Sequence, residues 1–145
     1  MKVFVVEDDR FYCKLIEHHV RLNPDLAVST FATGQACLDH LDEQPDIVTL
    51  DFGLPDMDGR AVLDKIRKFN PAISVIVISG QADIAIAVNL LKEGAYDYIA
   101  KDENIGERLL HTIHHIQITA ELRNQVDQLK NQMVKGTGSE TGAVG

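Results

Sequence analysis

The chain has 145 residues, room for one domain of ordinary size and not for two. Apolar residues make up 45 %, enough for one sizeable core, which excludes a wholly disordered chain. A net charge of −8 argues against direct binding to nucleic acid or to an anionic membrane, since both need a basic face. No apolar run approaches the roughly 18–20 residues of a membrane span. The start, Met1-Lys2-Val3-Phe4-Val5-Val6, meets acid at Glu7, too soon for a signal peptide. Cys13 and Cys37 show neither CxxC nor metal spacing, which fits reduced thiols in a cytoplasmic protein.

Short β-rich runs alternate with amphipathic segments. Val3–Val6 opens the series, and a helix is expected from about Arg10 to Leu22, carrying Phe11, Leu15, His18 or His19, and Leu22 at helical spacing until Asn23-Pro24 stops it. Leu26–Thr30 is a half-polar strand, fit for a sheet edge, and Gly34–Leu41 a second helix. Ile47–Leu50 leads to a third helix that opens near Asp58-Gly59, carries Ala61, Val62, Ile66 and Phe69, and ends at Asn70-Pro71. Ile73–Ile78 precedes a helix over Asp83–Lys92 with Ile84, Ile86, Val88 and Leu91, closed by Gly94. Tyr96–Ala100 precedes the last helix, which starts between Glu103 and Glu107 and continues to about Val134. Strands apolar on both sides, alternating with helices over short connections, mean an α/β fold with a doubly wound, five-stranded parallel sheet.

The last helix is longer than the fold needs. Leu109, Ile113, Ile116 and Ala120 form one stripe, read as packing on the sheet. Leu122, Val126, Leu129 and Met133 form a second, displaced stripe, read as a coiled-coil seam projecting beyond the domain; a solvated helical linker is the competing reading. From Gly136 the composition is that of a flexible tail. The expected organisation is a domain over 1–118, a helical extension over 119–135 and the tail over 136–145.

In open α/β sheets, ligands bind outside the carboxyl ends of the strands, where the strand order reverses. Glu7-Asp8-Asp9 follows the first strand and Asp51 closes the third. In the flavodoxin-like order 2-1-3-4-5 those strands are neighbours, so Glu7, Asp8 and Asp51 converge despite their separation in sequence. Two carboxylates about 4 Å apart repel by roughly 4 kcal/mol at an effective dielectric near 20. Three in one crevice either protonate or hold a cation. The donors are hard oxygens, so Mg²⁺ is the natural ion, with Mn²⁺ able to substitute. The competing reading of the acidic turn is a helix N-cap, and the two can divide the residues, with Asp9 as the cap. Ser79 and Lys101 end two further strands at the same edge, a hydroxyl and an ammonium suited to phosphate oxygens. Their plainer readings are a helix cap and a solvated turn residue. His111, His114 and His115 have a spacing that can hold a metal, but the favoured reading is solvated or packing histidines.

The ordered set over about Met1 to Ile118 resembles the receiver domains of two-component response regulators. Glu7-Asp8 after Val5-Val6 matches that family's metal-binding acids. Asp51 in Asp51-Phe52-Gly53-Leu54-Pro55-Asp56-Met57-Asp58-Gly59 matches its phosphoacceptor, Ser79 its Ser/Thr, Lys101 its lysine and Tyr98 its aromatic switch position. The resemblance implies that Asp51 takes a phosphoryl group from a phosphohistidine of a partner kinase. It further implies that Asp8, Asp51 and the Gly53 backbone carbonyl bind Mg²⁺, with Glu7 acting through water. Lys101 and Ser79 then hold phosphoryl oxygens, and Tyr98 rotates to remodel the face of the fourth helix, fifth strand and fifth helix. Such a domain is a switch, with at most self-phosphorylation and self-dephosphorylation activity, and Gln81 is placed to influence the hydrolytic water. The long helix points to a homodimer whose state changes the output of an effector, the chain being either part of a larger regulator or a stand-alone receiver.

Two departures from the family pattern stand out. Asp102 follows Lys101 where the family usually has proline, which leaves the loop path open, and Gly53 is small where many members carry Met or Asn. A dehalogenase-type phosphatase needs an Asp-x-Asp pair, and position 53 is Gly. A flavin carrier needs a Ser/Thr/Gly-rich phosphate loop, which Glu7 and Asp8 would repel. A receiver serving only as an unphosphorylated interaction module has the same motifs and differs in its response to Mg²⁺.

Overall fold

The computed structural model describes residues 1–81 and 83–134. Two compact units divide the chain, Met1–Leu110 and His111–Gly145. In the first, β1 (Lys2–Val6), β2 (Ala27–Phe31), β3 (Ile47–Asp51), β4 (Ser74–Ser79) and β5 (Asp97–Ala100) form one sheet. Its order is β2-β1-β3-β4-β5, every neighbouring pair parallel, so the chain reverses direction across the sheet between β1 and β3. The half-polar strand lies at the edge, as its composition implies.

Helices connect the strands: α1 (Arg10–Arg21), α2 (Gly34–Asp39), α3 (Gly59–Phe69), α4 (Ile84–Lys92) and α5 (Ile105–Val144), the last described through Val134. Asp9, Thr33, Asp58 and Asp83 cap α1 to α4, each accepting from backbone N–H groups of the first turn. α2 is shorter than its sequence pattern. A separate 3₁₀ turn, Leu41–Glu43, follows it, and Gln44 in the left-handed region (φ 59°) ends that turn before Pro45.

One face of the sheet packs Phe4, Val6, Val48, Leu50, Val75 and Val77 against Val62, Leu63, Ile66 and Leu90 of α3 and α4. Strand alternation turns Val3, Val5, Ile47, Ile76, Ile78 and Ile99 to the other face, where α1 meets β1 and β2 with Ile16 and Val20 buried. The helix faces correct the sequence reading in three places. α1 carries apolar residues on adjacent rows, and the buried row is Ile16 and Val20; Phe11 and Leu22 are exposed. α4 is apolar almost all round, so spacing cannot select its buried face: Leu90 is buried, whereas Ile84, Val88 and Leu91 are exposed. Phe69, at the end of α3, is exposed as well.

Along α5, Ile105 and Leu109 are buried in the first unit. In the second, Ile113 and Ile116 are buried, while Leu122, Val126, Leu129 and Met133 are exposed. The tail over 136–145 lies outside the described residues. Among the described residues, no helix is long and apolar enough to cross a membrane.

Candidate phosphoacceptor and metal site

Register places the site. Val6 pairs with Leu50, so the next residues along β1 and β3, Glu7 and Asp51, stand side by side at the carboxyl edge. Asp51 pairs with Ile78 and Ser79 with Ala100, which carries Ser79 and Lys101 to the same rim. The Lys101 N–H donates to the Ser79 carbonyl at 2.8 Å, fixing where the lysine leaves the sheet.

The side chains follow. Glu7, Asp8 and Asp51 each offer a carboxylate oxygen, and these lie within 4.8 Å of one another. Glu7 and Asp51 are buried, whereas Asp8 is exposed, leaving one side open to water. Lys101 Nζ lies 2.7 Å from Glu7 Oε1 and 3.3 Å from Asp51 Oδ1. The Gly53 N–H donates to Asp51 Oδ1 at 3.1 Å. The third acid stands apart from the cluster: Asp9 accepts from the Phe11 and Tyr12 N–H groups at 2.9 and 3.2 Å, and its own N–H donates to Glu7 Oε2 at 3.1 Å. The acidic turn therefore divides into a cap and two converging carboxylates.

Burial pushes the Glu7 carboxyl up to about 7, and its hydrogen bond with Asp51 adds to the rise, while Lys101 pulls it back. For Asp51, burial also acts upward. Hydrogen bonds with Glu7, the Gly53 N–H and Asp8, together with the Lys101 charge, outweigh it and hold the carboxyl below its ordinary value. Burial likewise depresses Lys101, but Glu7 and Asp51 overcome this and raise it. Three carboxylates share one ammonium, and the deficit of positive charge is met by a proton near Glu7 or by a divalent cation. Hard oxygen donors at this spacing, with an open aqueous side, suit Mg²⁺.

Ser79 is buried, and its Oγ accepts from the Gln81 N–H at 3.1 Å; α4 is capped by Asp83, so Ser79 does not act as that helix's cap. The Tyr98 hydroxyl donates to the Gln81 carbonyl. Both residues thus hold the loop after β4. A Cβ built at Gly53 meets nothing nearer than Asp51 Oδ1 at 3.9 Å, so the approach to the carboxylate is open. The loop after Lys101 is set by Asp102, which accepts from the Asn104 N–H at 2.8 Å and pairs with Arg108 at 3.5 Å. His111, His114 and His115 are exposed and do not join a metal-ligating cluster among the described residues.

Two further residues were not singled out by sequence. Asp56 accepts from the Gly34 and Gln35 N–H groups at 3.0 Å each, fastening the β3–α3 loop to the start of α2. The Tyr12 ring lies under Lys101, with Nζ 4.6 Å from its centroid. The aromatic pair Phe11-Tyr12 one turn past the acids is the single sequence signal for the latter. Beside the lysine opens a groove of about 540 Å³ whose lining includes Phe11, Tyr12, Leu15, His19 and Glu103.

A family model described as the response regulator receiver domain matches residues 3–114. The DNA-binding transcriptional regulator NtrC of Klebsiella pneumoniae is 31 % identical over 125 residues, 83 % of this chain and 26 % of NtrC. The C4-dicarboxylate transport transcriptional regulatory protein DctD of Rhizobium meliloti is 37 % identical over 100 residues, 68 % of this chain and 22 % of DctD. The crystal structure of NtrX from Brucella abortus superposes with a TM-score of 0.77 at 29 % identity, covering 89 % of this chain and 30 % of NtrX. The chain thus spans about a quarter of the length of these curated relatives.

Proposed function

The chain belongs to the response regulator receiver domains, and from that premise we propose that Asp51 accepts a phosphoryl group from a histidine kinase and so switches a signalling surface. The observation that carries this reading is the convergence of Glu7, Asp8 and Asp51 within 4.8 Å, with Lys101 bridging Glu7 and Asp51.

Asp8, Asp51 and the Gly53 carbonyl would hold Mg²⁺, and Glu7 would support it through water. When bound, the ion offsets the repulsion between the pocket and the phosphoryl oxygens. Asp51 is the nucleophile: its oxygen forms the bond to phosphorus in line as the bond to the kinase imidazole nitrogen breaks, and that nitrogen keeps the electron pair. Asp51, held below its ordinary pKa, is ionised for this attack. Lys101 turns from Asp51 to a phosphoryl oxygen, and the Ser79 hydroxyl donates to another. Moving Ser79 disturbs its bond with the Gln81 N–H, and Tyr98 feels the change through the Gln81 carbonyl. The consequence is a two-state rearrangement at α4, β5 and α5.

The exposed stripe Leu122, Val126, Leu129 and Met133 supports a homodimer through the helical extension over 119–135. NtrC and DctD are transcriptional regulators by name, and we place this domain at the head of a cytoplasmic regulator of that kind, with nucleic-acid contact left to another domain.

Incubation with a small phosphodonor and Mg²⁺ is expected to add one phosphoryl group, measured as a mass shift, and Asp51→Asn to abolish it. Labelling retained in the Asn variant overturns the assignment.

A further inference from the structure

We infer that Tyr12 is a positioning residue for Lys101, its ring face holding the ammonium at the rim of the pocket; this rests on the phosphoacceptor reading. Lys101 is engaged by two carboxyl oxygens, Glu7 Oε1 at 2.7 Å and Asp51 Oδ1 at 3.3 Å. The ring face of Tyr12 meets it as well, 4.6 Å from Nζ to centroid, within the range of a cation–π contact. An aromatic face attracts the charge without offering a lone pair, so it constrains the ammonium without consuming its hydrogen-bonding capacity. The lysine side chain is 12 % exposed, and the shielding from water strengthens the attraction.

The ring is itself held. Asp9 caps α1 and accepts the Tyr12 N–H at 3.2 Å, which ties the backbone of Tyr12 to the acidic turn. Phe11 stands edge-on to Tyr12, with centroids 5.3 Å apart and planes at 80°. The third acid of the Glu7-Asp8-Asp9 turn thereby holds the backbone that carries the aromatic platform. The ring adds an attraction that comes from α1, and it remains available when Asp51 becomes an acyl phosphate and the lysine must follow a phosphoryl oxygen.

The phenol hydroxyl takes no part, so Tyr12→Phe retains the function and Tyr12→Leu, which keeps apolar bulk in the same place, removes it. Labelling by a small phosphodonor with Mg²⁺ is expected to slow about fivefold in Tyr12→Leu and to stay near the wild-type rate in Tyr12→Phe. A second measurement is independent of phosphorylation: the Lys101 ε-methylene protons shift upfield under the ring current in wild type and Tyr12→Phe, and return to ordinary positions in Tyr12→Leu. A folded Tyr12→Leu protein that labels at the wild-type rate overturns the inference, as does an ordinary methylene shift in the wild type. If the wild type takes no phosphoryl group while the ring-current shift is present, the phosphoacceptor reading fails and the placement of Lys101 by Tyr12 stands.

Discussion

Lys101 lies nearer to Glu7 than to Asp51, 2.7 Å against 3.3 Å. The pocket's ammonium is thus engaged more closely by Glu7 than by the proposed phosphoacceptor. Even so, burial pushes the Glu7 carboxyl up to about 7, so below neutrality the metal-free pocket carries a proton that it loses as pH rises through that value. Mg²⁺ and that proton compete. Apparent Mg²⁺ affinity is expected to rise with pH, by at most about tenfold per unit, up to about pH 7, and to level off above it. The tyrosines report the titration, since the chain has no tryptophan. Glu7→Gln should flatten the profile in this range, and an affinity already independent of pH in the wild type would contradict the coupling.

The same proton governs stability without metal. The unfolded Glu7 releases it near 4.5, whereas the folded one keeps it to about 7. Between those values the folded state binds more protons, so stability falls as pH rises through the window, by up to about 3 kcal/mol. Asp51 is shifted the other way: its contribution is present above 3.8 and is lost only as pH falls through its depressed folded value. The raised Lys101 contributes fully below 10.5 and loses that contribution only as pH climbs through its raised folded value. Neither interferes between pH 5 and 7. Denaturant unfolding at pH 5 and 8 should therefore show a larger loss in wild type than in Glu7→Gln, and Mg²⁺ at pH 8 should recover stability. Equal losses in the two proteins would count against a buried, protonated Glu7.

Gly53 in the β3–α3 loop and Gly59 at the start of α3 should respond in opposite ways. A Cβ at Gly59 lies 2.9 Å from Phe52 Cδ2 and 3.1 Å from the Phe52 Cα and carbonyl oxygen. Backbone cannot yield as a side chain does, so Gly59→Ala should cost about 1–3 kcal/mol and weaken Mg²⁺ binding by shifting the segment after Asp51. Gly53→Ala, with open space around the new methyl, should leave stability within about 0.5 kcal/mol. Its methyl stands near Asp51 Oδ1 and should lengthen the lifetime of the acyl phosphate by screening water. Thermal unfolding and the decay of the label test the pair, and a Gly59→Ala protein as stable as the wild type removes the steric argument.

The sheet and its acidic edge are legible in the amino-acid sequence. Apolar runs such as Val3–Val6 and Ile73–Ile78 permit little except buried parallel strands, and strand ends carrying Glu7, Asp51, Ser79 and Lys101 then fall on one edge by topology alone. The buried face of α4 was not readable, because Ile84, Ile86, Val88, Leu90 and Leu91 leave no polar side to orient it. The clamp of Asp56 on Gly34 and Gln35 joins residues more than twenty apart, and no local pattern encodes that approach. The same holds for Tyr12 beneath Lys101: a tyrosine on the first turn of a helix looks like any other until the last strand arrives beside it.

The extension of α5 makes its own prediction. Leu122, Val126, Leu129 and Met133 recur at intervals of four, three and four residues and are each at least 47 % exposed. A solvated single helix gains nothing from this stripe, whereas a second copy would bury it, at roughly 1.5–3 kcal/mol for each large apolar side chain removed from water. Two short heptads make the association sensitive to any one position. Sedimentation should show a concentration-dependent dimer. Leu129→Lys, at the middle of the stripe, should leave a monomer at the same concentration, and Met133→Lys, nearer the end, should weaken the dimer less. Both changes lie outside residues 3–114, the segment matched to the receiver family, so phosphoryl labelling of Asp51 should persist in each variant. An unchanged mass in Leu129→Lys would mean that the stripe carries no self-association and that the extension is a linker alone.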